Sequence, residues 1–168
     1  IRIETDYWES YNPKEARYYD EEGKLIGKLK YKSDYTYADN STMVDYLYNP
    51  MRVASITKYA KGDEVAEKKE FFSNGKLKTE YKISGESAKS TYYNRNGSKD
   101  GNLTYKKEKD EYGYNDSDQY LAPYEGKEIT YHFTEGKTDQ IYQETIYEKG
   151  KQVSEKTYRE DGSPLAYK

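Results

Sequence analysis

Residues 70–83 read Glu-Phe-Phe-Ser-Asn-Gly-Lys-Leu-Lys-Thr-Glu-Tyr-Lys-Ile. An aromatic pair ends one segment, Asn74-Gly75 follows, and then Leu, Thr, Tyr and Ile alternate with charged residues. A period of two with one charged face is typical of a half-buried antiparallel strand. Asn-Gly is a strong hairpin signal, because both central residues of a type I′ turn need positive φ. The stretch therefore predicts two strands joined by a tight turn.

The same turn signal recurs along the chain. The predicted turn glycines are Gly23, Gly62, Gly75, Gly97, Gly136, Gly150 and Gly162, with a further variant at Gly85. Tyr or Phe usually ends the segment before each glycine. Such a short spacing leaves room for one strand and one turn, and it indicates a repeat architecture. We expect positive φ at Gly75 and Gly97, in type I′ or bulged hairpin turns.

These segments predict an all-β fold. It is a single-layer antiparallel meander of repeated β-hairpins, curved or twisted, in one repeat-array domain over 1–168. Two polar stretches, 33–50 and 107–123, are interpreted as loop insertions. A short helix starting at Asn12 and Pro13 is the alternative to a strand near 14–20. The predicted strands are 14–20, 24–32, 53–60, 64–72, 76–83, 87–94, 98–106, 127–134, 137–147, 151–159 and 163–168.

Composition excludes several classes of function. The 28 Lys and Arg residues are interspersed with 31 Asp and Glu, so no basic surface for nucleic acid is expected. No apolar run is long enough to span a bilayer. The chain has no cysteine, which excludes disulfides, thiolate chemistry and Cys-based zinc sites. The 23 tyrosines favour a folded protein with a thin core over a disordered one.

One recurrent pattern resembles the bacterial MORN-repeat variant family. It consists of an aromatic pair, three residues, Gly-Lys-Leu and a charged strand. Residues 17–25 give one copy, 70–77 a second with one residue fewer in the turn, and 91–97 a third without Lys-Leu. Tyr124-Glu125-Gly126 alone has the opening of typical MORN repeats. The resemblance implies an antiparallel sheet that binds other proteins, and some relatives are antitoxin-like partners of secreted toxins.

Catalytic and metal-binding signals are sparse. His132 is the single histidine, and we expect it to be a partly exposed strand residue on the charged face. No nucleophile elbow, P-loop or dinucleotide-binding pattern occurs. The acidic residues of 110–118 offer oxygen ligands for calcium, but they lack the EF-hand order and are more typical of a solvated loop. We therefore expect no enzymatic activity, no metal and no cofactor.

The sequence favours a module for protein–protein interaction, antitoxin-like or a surface scaffold. The predicted binding residues lie in the two insertions, since loops on a rigid scaffold carry recognition: Tyr37, Tyr48, Tyr112 and Tyr114. A glycan-binding exported protein with exposed tyrosines is one alternative. A hydrolase with an unrecognised carboxylate site is the other. The start at Ile1 favours an exported protein with its leader removed over a cytoplasmic one, and a trimmed chain is the alternative explanation.

Overall fold

The computed structural model describes residues 2–8, 12–32, 36–48, 51–62, 64–109, 119–132 and 138–165. Within these residues the protein is all strand and turn, and no helix occurs that is long and apolar enough to cross a membrane. The strands are β1 Arg2–Tyr7, β2 Pro13–Tyr19, β3 Leu25–Lys30, β4 Thr42–Tyr48, β5 Met51–Tyr59, β6 Val65–Phe71, β7 Leu77–Ser84, β8 Ser87–Tyr93, β9 Lys99–Lys109, β10 Gln119–Tyr131, β11 Ile141–Glu148 and β12 Lys151–Thr157.

The predicted antiparallel meander is confirmed. Strands β1–β3 form one sheet, and β4–β12 follow in chain order in a second, so the meander is divided into two sheets. Contacts also divide the chain into two compact units, unit 1 over Ile1–Glu80 and unit 2 over Tyr81–Lys168. The single repeat-array domain stays a prediction.

The core of unit 1 combines residues of the three-stranded sheet with residues of the nine-stranded sheet. Tyr18 and Leu29 of the three-stranded sheet are buried with Val44 and Tyr59 of the second sheet. At Gly27 a Cβ would lie 2.6 Å from Val44 Cγ2, so glycine allows β3 and β4 to approach closely. Tyrosine thus serves as a core residue here, with its hydroxyl at the edge of the packed region.

Unit 2 has its own core, formed by Tyr92, Leu103 and Ile129. Leu103 is completely buried, and Tyr105 and Tyr147 pack around the three residues. In β8 the alternation is regular, because Ala88, Ser90 and Tyr92 are buried between exposed or half-buried neighbours. Ser90 Oγ and the Tyr105 hydroxyl are 3.1 Å apart, so the core includes a satisfied polar pair.

Four turns share one geometry, and each has a glycine at its fourth position. In each turn the N–H of the first residue donates a hydrogen bond to the carbonyl of the fifth residue, and the glycine N–H donates one to the carbonyl of the first residue. The four turns are 20–24, 72–76, 94–98 and 159–163. The φ values of these glycines are 80°, 78°, 93° and 81°. This geometry is a three-residue hairpin loop with a bulge. Turn 72–76 has the same size as turn 20–24, so it does not lack a residue.

Of the two expected turn types, type I′ or bulged, the turns at Asn74-Gly75 and Asn96-Gly97 are of the bulged type. Gly75 and Gly97 have the expected positive φ, but neither asparagine does. The asparagine side chains instead accept a backbone hydrogen bond two residues later, at Lys76 N (3.1 Å) and Ser98 N (2.8 Å). Consecutive positive φ values occur at Lys149 and Gly150, between β11 and β12. The pattern of charged residues around the glycine does not by itself distinguish this turn, with two positive φ values, from the bulged turns.

Three segments differ from the sequence interpretation. Strand β1 was not predicted, and β4 lies within the expected insertion 33–50 because Val44 packs against Gly27. Strand β2 begins at Pro13, in agreement with the preferred strand and not with the helix. In the expected insertion 107–123, β9 extends to Lys109 and β10 begins at Gln119, and residues between them lie outside the described part.

Three strands, β3, β6 and β7, also have less buried faces than their patterns predict. No side chain of β6 or β7 is fully buried, and Ile83 is 36% exposed although it continues the apolar alternation. Leu25, expected on the apolar face of the second predicted strand, is 47% exposed. Alternation identifies a strand and its two faces, but a face becomes buried only where another layer covers it.

Candidate functional site

Unit 1 contains an open groove of about 450 Å³. It lies between the turn that joins β2 to β3 and the strands β5 and β6. We call this feature the unit 1 groove. Its floor is formed by four half-buried apolar side chains: Ile26, Val53, Ile56 and Phe71. The volume is in the range of roughly 300–1,000 Å³ that is typical of ligand pockets.

One side of the unit 1 groove is acidic. Asp20, Glu21 and Glu22 belong to the first of the four bulged turns. Asp20 Oδ1 accepts hydrogen bonds from Glu22 N at 3.1 Å and Lys24 N at 2.8 Å, so this carboxylate holds the turn. Neither Glu21 nor Glu22 has a side-chain hydrogen bond or ion pair with any described residue. Two carboxylates are therefore available at the rim.

Arg52 lines the same groove. Its Nη1 donates a hydrogen bond of 3.0 Å to the carbonyl of Phe72, which connects β5 to the turn 72–76. Its Nε is buried and has no hydrogen-bond partner among the described residues. A buried N–H without a partner is uncommon in folded proteins, because it has lost its contact with water. Arg52 thus lines the groove and carries a buried donor whose hydrogen bond is not made within the described residues.

The acidic turn is held against the second sheet. The Tyr46 hydroxyl donates a hydrogen bond of 3.3 Å to the carbonyl of Tyr19, directly before the turn. The rings of Tyr18 and Tyr46 also pack with their centroids 6.2 Å apart. Burial raises the pKa of both tyrosines, so their hydroxyls stay protonated over the ordinary pH range. These contacts fix the rim relative to the floor.

The carboxylates on the strands of the first sheet are paired, in contrast to those at the groove. Arg17 contacts Asp6 at 2.8 Å, Glu15 at 2.9 Å and Glu4 at 3.4 Å. The hydrogen bond from Arg17 lowers the pKa of Asp6, and one from Tyr19 lowers the pKa of Glu4. These carboxylates thus form ion pairs within the sheet, whereas Glu21 and Glu22 have no such partner among the described residues.

A second, smaller pocket of about 330 Å³ lies in unit 2 beside the turn from β11 to β12. Lys149 N donates a 3.0 Å hydrogen bond to Glu125, and Gly150 N donates one of 2.8 Å to the carbonyl of Tyr124. The backbone of this turn is thus docked on β10. We assign the pocket a structural role.

Of the predicted binding tyrosines, the structure describes the side chain of Tyr37, which is not among the residues that line the unit 1 groove. Tyr37 packs against Tyr31 and Tyr59, with ring centroids 5.7 Å and 4.7 Å away, beside the unit 1 core. Tyr48 ends strand β4. Tyr112, Tyr114 and the predicted turn glycine Gly136 lie outside the described residues. A binding role for these tyrosines stays a prediction.

His132 lies directly after β10 and is half-buried. Its ring meets that of Tyr142 edge-on at 5.3 Å, and its Nε2 has no hydrogen-bond partner among the described residues. No group of three or more His, Cys, Asp or Glu side chains suited to a metal ion occurs in the described ranges. The proposed calcium ligands of 110–118 lie outside those ranges.

The sequence contains a signal for the groove that the interpretation missed. Before the turn glycine, three of the four bulged turns have Asn74, Asn96 or Asp161, and each caps the residue after its glycine. In the first turn Glu22 occupies this position, and Asp20 supplies the cap instead. Among the four turns, the first is therefore distinguished by Glu22, which stands where the others have a capping Asn or Asp. Its carboxylate does not cap the turn and lies at the rim of the groove.

No family model matches the chain, and no curated protein matches it either.

Proposed function

We propose that this protein is a protein–protein interaction module of the kind that the MORN-variant resemblance implies, and that the unit 1 groove is its recognition site. The observation that supports this proposal is the combination of an apolar floor with two carboxylates, on a fixed turn, that have no partner among the described residues. Recognition sites are commonly apolar at the centre and polar at the rim. An antitoxin-like role of this protein and a role as a surface scaffold are both compatible with this site.

The proposal is tested by capture of a partner with matched variants. The immobilised protein is incubated with lysate and secreted fraction of the source organism, next to Glu21→Lys and Glu160→Lys. Glu21 and Glu160 occupy the second position of equivalent turns, but only Glu21 lines the groove. We expect a protein retained by the parent and by Glu160→Lys and lost by Glu21→Lys. Equal retention by all three, or no specific protein, contradicts the proposal.

Glycan recognition is a second candidate, supported by a different surface. Trp8 is 43% exposed and Tyr7 is 59% exposed, and they are adjacent at the end of β1. Exposed aromatic rings stack on sugars, and Lys14 Nζ lies 5.1 Å from the Trp8 ring centre. Trp8 is the sole tryptophan, so its fluorescence reports on this site alone. A saturable change in Trp8 fluorescence on titration with oligosaccharides supports glycan recognition, and an unchanged fluorescence spectrum contradicts it.

A further inference from the structure

The chemistry of the unit 1 groove restricts what it can bind. Its lining contains three carboxylates and one cationic side chain, so it is net acidic: Asp20, Glu21, Glu22 and Arg52. An anionic ligand would face three carboxylates and one guanidinium. A cation at the rim would meet two carboxylates that have no other described partner, which is favourable electrostatic complementarity.

The base of the groove restricts the ligand further. Ile26, Val53, Ile56 and Phe71 provide apolar contact area, which favours burial of apolar side chains. Arg52 Nε–H has no acceptor among the described residues, and a peptide carbonyl is a group of the kind that it requires. A small inorganic cation would interact only with the rim carboxylates and would make no contact with the apolar floor or with Arg52 Nε.

From these three features we infer that the groove binds an extended protein segment in which Lys or Arg side chains alternate with apolar ones. This inference rests on the proposed function and specifies the partner's chemistry. Alternate side chains of an extended chain point in opposite directions, so apolar groups reach the floor while cations reach Glu21 and Glu22. Short recognition segments of this type use backbone hydrogen bonds for affinity and side-chain pockets for specificity.

The test uses four synthetic peptides with acetylated and amidated ends. The reference probe alternates two arginines with two leucines between glycines. In the others, glutamate replaces arginine, serine replaces leucine, or both replacements are made. Binding is measured by fluorescence anisotropy with the parent, the variant Glu21→Lys/Glu22→Lys, and the matched control Glu160→Lys. Circular dichroism establishes that each variant is folded.

We expect the arginine–leucine peptide to saturate the parent and Glu160→Lys at concentrations below about 1 mM. The double variant should bind it about tenfold more weakly, and the glutamate–leucine peptide should show the reverse preference. The serine peptide should bind weakly to every protein. Raising the salt concentration should reduce the difference between parent and double variant, because exposed charges are screened.

Equal binding of the arginine and glutamate peptides, an unaffected double variant, or no saturation of the parent would overturn the inference. These outcomes are distinguishable from failure of the proposed function. If a partner is still captured and is lost in Glu21→Lys, the groove is a recognition site for a different chemistry. If no partner depends on Glu21, the proposed function itself fails.

Discussion

At the residue scale, glycine is required for two different reasons. In the four bulged turns, glycine supplies positive φ in open surroundings, and a Cβ at Gly23, Gly75 or Gly162 would meet nothing within 4 Å. Gly126 also has positive φ (119°), but a Cβ there would clash with the backbone carbonyl oxygen of Asn102. It occupies a bulged region of β10, where two strands approach each other closely.

This difference makes Gly126→Ala and Gly162→Ala a matched pair. We expect Gly162→Ala to cost about 1 kcal/mol, because only the backbone conformation becomes unfavourable. Gly126→Ala should cost distinctly more, about 3 kcal/mol, since β9 and β10 must also separate. Both free energies of unfolding are obtained from urea titrations followed by circular dichroism. Similar values for the two variants would contradict the close contact with Asn102.

At the element scale, each unit depends on one completely buried leucine. Leu29 lies in the core of unit 1 with 1% exposure, and Leu103 lies in the core of unit 2 with 0%. Around them tyrosines supply much of the apolar area. The remaining strands are less well covered, and β12 has exposed side chains at every position from Lys151 to Lys156.

We expect Leu29→Ala and Leu103→Ala each to lower the free energy of unfolding by about 2–5 kcal/mol, because each leaves a cavity in a thin core. Val153→Ala serves as the control, since Val153 is 52% exposed and its loss should change stability by about 0.5 kcal/mol or less. Chemical denaturation measures all three. A leucine variant that unfolds like Val153→Ala would show that the corresponding core is wrongly assigned.

Elements were more predictable from sequence than the site. Most strands and the positive φ of Gly75 and Gly97 follow from alternation and from Asn-Gly. Strand β4 was missed because its burial depends on Gly27 of β3, a strand of the other sheet, and no local pattern reveals this contact. The groove was missed for a similar reason. Its rim and Ile26 come from the β2–β3 hairpin, whereas the rest of its floor comes from β5 and β6, and only the unusual Glu22 before Gly23 marks it locally.

At the scale of the whole molecule, tyrosine burial determines the response to high pH. Burial raises the pKa of Tyr18, and it raises that of Tyr92 together with the neighbouring Tyr105. A pKa raised in the folded state means that this contribution to stability is present below the ordinary tyrosine value of about 10 and is lost as the pH rises above it. Ionisation of these hydroxyls therefore opposes folding only in alkali.

We expect the tyrosine absorbance titration to show exposed tyrosines ionising near their usual pH, followed by a later step that coincides with unfolding. Tyr92→Phe keeps the ring and removes the ionisable hydroxyl, so it should move the unfolding step to higher pH. Circular dichroism recorded on the same samples identifies unfolding. A single titration step with unchanged circular dichroism would contradict the buried positions of Tyr18 and Tyr92.

The central claim at this scale is that the protein binds a partner through the unit 1 groove. Site-specific photo-crosslinking in cells of the source organism tests it most directly. A photoreactive amino acid replaces Glu21 in one protein and Glu160 in a second, two equivalent turn positions of which only the first lines the groove. We predict a discrete crosslinked protein from position 21 and none from position 160. Crosslinks from position 160 alone, or from neither position, would contradict the claim.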